Sequence, residues 1–139
     1  MNLSLPQEIV VFETFLIGKG LTCQRREGPD RRFFGNRILQ YGDDTIGIQL
    51  LLDRSIWSID LADVMSPPDK WYDVATMRDL LLGHGEDVLS LTDQIACIQA
   101  NWQAIIERFS PQYAADTHAR LALLREERTK RRLLGLYRS

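Results

Sequence analysis

At 139 residues, 45% hydrophobic and 26% charged, the chain has the length and composition of one globular domain with a real core, which excludes disorder over most of its length. Its longest apolar runs, 9–12 and 95–98, are far too short to span a bilayer, and residues 1–8 lack the basic and apolar regions of a secretory signal, so no membrane association and a cytoplasmic location are expected. The formal net charge of -2 hides a polarised chain: residues 1–109 carry sixteen acidic and ten basic side chains, whereas residues 110–139 carry three and seven.

Ser4-Leu5-Pro6-Gln7 has the form of a capping box ahead of Ile9, Phe12 and Leu16, which predicts a first helix over 5–17 closed by Gly18 and Gly20. A short strand over 21–26 and a turn at Gly28-Pro29-Asp30 follow. From Phe33 the pattern alternates. Ile46, Ile48, Leu50 and Leu52 share one face of a strand, as do Trp57, Ile59 and Leu61 of the next. The turns at Gly42-Asp43-Asp44 and Asp53-Arg54-Ser55 are short enough to force antiparallel neighbours, so three or four strands form a meander.

Residues 62–70, with Ser66-Pro67-Pro68, read as a surface loop because proline lacks a backbone donor. Asp73 N-caps a short helix over 74–82, which Gly83-His84-Gly85 ends. Val88, Leu91, Ile95, Ile98, Trp102, Ile105 and Phe109 then recur at steps of three and four residues, the spacing of one helix stripe beginning at Glu86 or Asp87. Ser110-Pro111 ends that helix and starts another over 111–134, giving a long αα-hairpin. The segment 125–132 is too polar to be buried, so it is expected to project, its charges paired along the helix face.

No catalytic motif in the chain is complete. His84-Gly85-Glu86 lacks the P-C-x-x-C partner of a zinc deaminase signature, and His118 has only Asp116 nearby. Gly83 and Gly85 follow a helix and have no third glycine, so no nucleotide cradle is implied, and no P-loop, nucleophile elbow or H-E-x-x-H is present. Cys23 and Cys97 have neither zinc nor disulfide spacing and are expected reduced. No cofactor is expected. Arg31, Arg32 and Arg37 around Phe33 and Phe34 could hold single-stranded nucleic acid, but those aromatics suit the sheet core and the next segment is acidic.

Between 43 and 93 eleven carboxylates stand against Arg54, Lys70 and Arg78, a balance that attracts basic partners and repels nucleic acid. Asp60, Asp63 and Asp69 read as a solvated acidic rim, a partner contact or, without diagnostic spacing, a divalent-cation site. With Asp43 and Asp44 they form the expected contact surface. Trp71 and Tyr72 are either its aromatic anchors or a plug beneath the proline loop.

The segment Phe34-Gly35-Asn36, Tyr41, Gly47-Ile48 and Asp53-Arg54-Ser55-Ile56-Trp57-Ser58-Ile59-Asp60, followed by Trp71-Tyr72-Asp73 and a leucine-rich helix, resembles small uncharacterised bacterial proteins and the immunity proteins that accompany polymorphic toxins. The resemblance covers residues 34–82. It implies stoichiometric binding to a cognate toxin, often through an acidic surface when that toxin is basic, and carries no catalytic residue.

The expected fold is α+β in one domain over 1–139: an N-terminal helix, an antiparallel meander and a short helix over 1–82, with the helical hairpin over 86–134. The expected function is non-enzymatic protein binding. Two alternatives stay open, a homo-oligomeric scaffold sharing the hairpin in a homodimer and an enzyme built from dispersed residues.

Overall fold

The computed structural model describes residues 5–29, 35–63, 70–85 and 88–137. Helix α1 (Gln7–Gly18) is followed by strands β1 (Thr22–Glu27), β2 (Arg37–Gly42), β3 (Ile46–Asp53), β4 (Ile56–Asp63) and β5 (Tyr72–Asp73), then α2 (Val74–Leu82), α3 (Leu91–Ala100), α4 (Trp102–Phe109) and α5 (Ala114–Tyr137). The strands form one five-stranded sheet in the order β1-β2-β3-β4-β5, every neighbour antiparallel. The fold is therefore α+β, an antiparallel meander with a helical hairpin at its C-terminal end.

Local chemistry sets the boundaries. Pro6 precedes α1 without a side-chain cap, and Ser4 lies outside the described residues. At the other end Gly20 takes φ 93° and the amides of Gly20 and Leu21 bond to the carbonyls of Ile17 and Leu16. This paired closure needs a left-handed residue, which glycine supplies, and it folds Leu21 back beside Leu16 in the core. Asp73 caps α2 by accepting from the Thr76 amide at 2.8 Å. In the β2–β3 turn Asp43 Oδ1 accepts from the amides of Thr45 and Ile46.

Alternation along the strands turns Leu39, Tyr41, Ile46, Ile48, Leu50, Ile59 and Leu61 to one face. There they meet Ile9, Phe12 and Leu16 of α1, Val74 and Met77 of α2, Ile95 and Ile98 of α3, Trp102, Ile105 and Phe109 of α4 and Leu121 of α5 in one core. Trp57 lies on this face as the alternation requires, although only half-buried at the sheet's end. On the same face the Tyr41 hydroxyl donates to Glu13, which also receives Arg26 at 2.5 Å, fastening α1 to the β1–β2 edge. Burial and the Glu13 carboxylate raise the Tyr41 pKa.

The apolar ladder does not form one helix. Val88 is 81% exposed and precedes α3, which starts at Leu91 with Ser90 accepting from the Asp93 amide. Asn101 (φ -114°, ψ 18°) then separates α3 from α4. Its side-chain amide donates to the Cys97 carbonyl at 2.8 Å, the competition for backbone acceptors that makes asparagine a poor mid-helix residue. The stripe survives the break: Ile95, Ile98, Trp102, Ile105 and Phe109 all reach the core. Ser110 also differs from expectation, since its hydroxyl turns back to donate to the Glu107 carbonyl and Pro111 sits in a turn leading to Ala114.

The last helix does not project over 125–132. Thr117 bonds to the Arg108 carbonyl beside the hairpin turn, after which α5 runs alongside α2 in the same direction. Tyr72 lies near His118 and Arg125, while Asp79 meets Arg128 at 3.4 Å and Arg131 at 3.7 Å. Arg128 is 2% exposed because the buried Asp79 carboxylate receives it, as it also receives Arg78 at 3.1 Å. Of the expected helix-face pairs on this segment, Lys130 with Glu126 is formed, at 3.5 Å and on the surface.

Candidate functional site

The helices cover one face of the sheet, and among the described residues none lies across the other. Three rows of side chains cross that open face, fixed by the strand register. Ile38, Leu51 and Ser58 form one row, Gln40, Gln49, Asp60 and Asp73 the next, and Gly42, Gly47 and Ala62 the third. The central row is bonded from strand to strand. Gln40 Nε2 donates to Gln49 Oε1 at 2.6 Å, and Gln49 Nε2 reaches Asp60 Oδ2 at 3.5 Å.

Asp60 faces Asp73 directly across the β4–β5 ladder. Like charges in that position oppose one another, and on a partly buried carboxylate the effect is large. Burial first, and the neighbouring Asp73 second, push the Asp60 carboxyl up to about 6, against the opposing bond from Gln49. Asp73 is held in place by its capping bond to α2. The pair is thus built into the fold, with one member fixed by a helix end and the other by an inner strand.

Apart from Ser58 and an Arg25–Glu27 pair on β1, the rest of the face is apolar or flat. The Trp71 ring lies over Gly47, where a β-carbon would stand 3.2 Å from the ring and crowd it. Ile56, at the far end of the same face, is 70% exposed. On β1, Arg25 donates to Glu27 at 2.6 Å beside Gln40 and Ile38. A partly desolvated row of carboxylate and amide oxygens, flanked by apolar side chains, suits ammonium or guanidinium groups carried on an extended chain or helix.

The structure divides the residues expected to make one contact surface. Asp60 and Trp71 lie on the open face. Asp43 is committed to its turn, and Asp44 is exposed beside it. Asp63 is a correction: three positions from Asp60, an odd step along a strand, it turns to the helices, is 5% exposed and meets His118 Nε2 at 2.5 Å. Tyr72 is a second correction, a core residue 1% exposed, between the His118 ring and the Arg125 guanidinium at 4.6 Å. Asp69, the proline loop, Arg31, Arg32, Phe33, Phe34 and the Glu86-Asp87 pair lie outside the described residues.

Sequence reasoning missed Gln40, Gln49 and the second role of Asp73. The signal was present in the hairpin turns, because a two-residue β3–β4 loop fixes which residues stand opposite, and alternation then puts 40, 49 and 60 in line. Among the described residues no cluster of three or more His, Cys, Asp or Glu side chains is placed to hold a metal ion, and no helix is long and apolar enough to cross a membrane. Comparison with protein-family models, curated proteins and solved structures finds no match to this chain.

Proposed function

We propose that this chain is a non-enzymatic, cytoplasmic binding protein that takes a basic protein partner on the open face of its sheet. The observation that carries the reading is the Asp60 and Asp73 pair. Two carboxylates opposite each other, one partly desolvated, weaken the free protein. A lysine or arginine set between them relieves that repulsion and gains charge-assisted hydrogen bonds. Ile38, Leu51, Ile56 and Trp71 supply the apolar contact that surrounds such anchors in an interface. Stoichiometric neutralisation of a basic toxin domain, the role of the immunity proteins that residues 34–82 resemble, is the form of binding this surface suits best.

The test is a titration of the labelled protein with a lysine- and arginine-rich peptide of β-strand length. Amide shifts centred on Gln40, Gln49, Asp60 and Asp73, lost in the Asp60→Asn/Asp73→Asn variant, are expected; asparagine keeps the α2 cap. Shifts confined to the helical side, or unchanged affinity in the variant, would overturn the reading. Binding should also tighten as pH rises through about 6, where Asp60 ionises, with proton release measurable by calorimetry in buffers of different ionisation enthalpy.

A further inference from the structure

The inward stripe of α5 runs Ala114, Thr117, Leu121, Leu124, Arg128, Arg131, and residues 132–135 beyond it are exposed in a helix that continues to Tyr137. The six residues beyond Arg131 add roughly 9 Å of helix. They display Leu133 and Leu134, 50% and 55% exposed, beside an exposed Arg132. A helix end this short gains its order from packing rather than from propensity, and these two leucines stand in water.

On another part of the molecule the reverse holds. Helices α1 and α3 meet along a groove of about 360 Å³ lined by Gln7, Glu8, Val11, Thr92, Ile95 and Ala96, and by Gln99. Val11 is 51% exposed there. The groove's rim is acidic: Glu8 accepts from Thr92 at 2.7 Å across it, and Asp93 is exposed at the start of α3.

We propose that the groove receives the α5 end of a second copy of this chain, with Leu133 and Leu134 against Val11, Ile95 and Ala96 and with Lys130 and Arg132 near Glu8 and Asp93. Charge complementarity selects this occupant. Exposed Lys130 and Arg132 flank the two leucines and exposed Glu8 and Asp93 flank the groove, so the two patches attract each other. Both patches belong to one chain, and the proposed arrangement is reciprocal, each copy's tail in the other's groove, which closes at a dimer.

Sedimentation of the full chain tests it. A dimer is expected at about 100 μM, weakening roughly tenfold between about 0.05 M and about 0.5 M salt. Leu133→Glu/Leu134→Glu and, separately, Val11→Glu should each yield a monomer with unchanged circular dichroism and melting, since all three positions are exposed. Mixing the two variants restores one intact tail-and-groove contact and should recover measurable association. A monomeric wild-type protein at that concentration, or a dimer that survives both variants, would overturn the proposal. A mixture that stays monomeric would overturn the tail-to-groove pairing.

Discussion

Arg128 on α5 reaches Asp79 on α2 across 3.4 Å, and the two side chains are 3% and 2% exposed. The same carboxylate holds Arg78 at 3.1 Å and Arg131 at 3.7 Å, with His84 at 3.9 Å on the rim. One buried anion thus gathers guanidiniums from α2 and α5, with the His84 ring beside it. Removing it leaves guanidiniums in a desolvated site without this carboxylate, so Asp79→Ala should cost about 3–5 kcal/mol. Asp79→Leu combined with Arg128→Met, which removes the most buried pair and leaves Arg78 and Arg131, should recover part of that loss. Urea denaturation measures both, and an Asp79→Ala variant within about 1 kcal/mol of wild type would show that α5 is held by other contacts.

Asp60 makes stability depend on pH in the direction opposite to most carboxylates. Its folded pKa of about 6 lies above the ordinary 3.8, so the folded protein holds this proton more tightly than the unfolded chain. The resulting stabilisation is complete below about pH 4 and is lost as pH rises through 6. Asp60→Asn should therefore be more stable than wild type by about 1–2 kcal/mol at pH 7, after discounting for its partial exposure, with the gain shrinking toward pH 4. Denaturation curves at the two pH values decide it; a variant less stable than wild type at pH 7 would mean that Asp60 contributes to the fold rather than straining it.

The β3–β4 hairpin turns on Arg54 and Ser55, at φ 52° and 69°. Two consecutive left-handed residues suit this two-residue turn, but neither arginine nor serine is at ease there, whereas Asn-Gly is. The Asn36 side chain supports the turn, accepting from the Arg54 amide at 3.1 Å. That bond uses backbone and survives substitution. Arg54→Asn/Ser55→Gly should stabilise by about 1 kcal/mol, a rise of roughly 3–4 °C in Tm for a chain of this size. A fall in Tm would mean that the side chains of Arg54 and Ser55 make contacts worth more than the strain.

What was legible in the sequence was whatever a short window contains. Alternation over β3 and β4 put Ile46, Ile48, Leu50, Ile59 and Leu61 on the core face, and Asp73 with Gly83 bounded α2 as they stand in the structure. The break at Asn101 was hidden because the apolar stripe continues through it in phase, so periodicity reports no interruption. Burial of Arg128 depends on Asp79, 49 positions earlier, and no local pattern announces such a partner. The continuing stripe through Leu121, Leu124, Arg128 and Arg131 was the available sign that these arginines point inward. In the candidate site, Asp60 and Asp63 were grouped by proximity along the chain, and strand parity separates them.

Gln94 on α3 stands where a longer β5 would continue the sheet. Among the described residues β4 has a paired strand neighbour on that side only at Asp60 and Leu61, so the Ile59 amide would otherwise face an open edge there. Gln94 Oε1 accepts from it at 3.0 Å, and Gln94 Nε2 donates to the Leu89 carbonyl at 3.0 Å. One side chain thus closes the sheet edge and fastens the segment leading into α3. A buried amide that loses its acceptor costs about 1–3 kcal/mol, so Gln94→Ala should destabilise by about 2 kcal/mol and accelerate hydrogen exchange at Ile59. Gln94→Glu keeps the acceptor and loses the bond to Leu89, so Ile59 should stay protected while stability falls by about 1 kcal/mol or less. Equal exchange at Ile59 in all three proteins would show that water or another group serves that amide, and the edge-closing role would have to be abandoned.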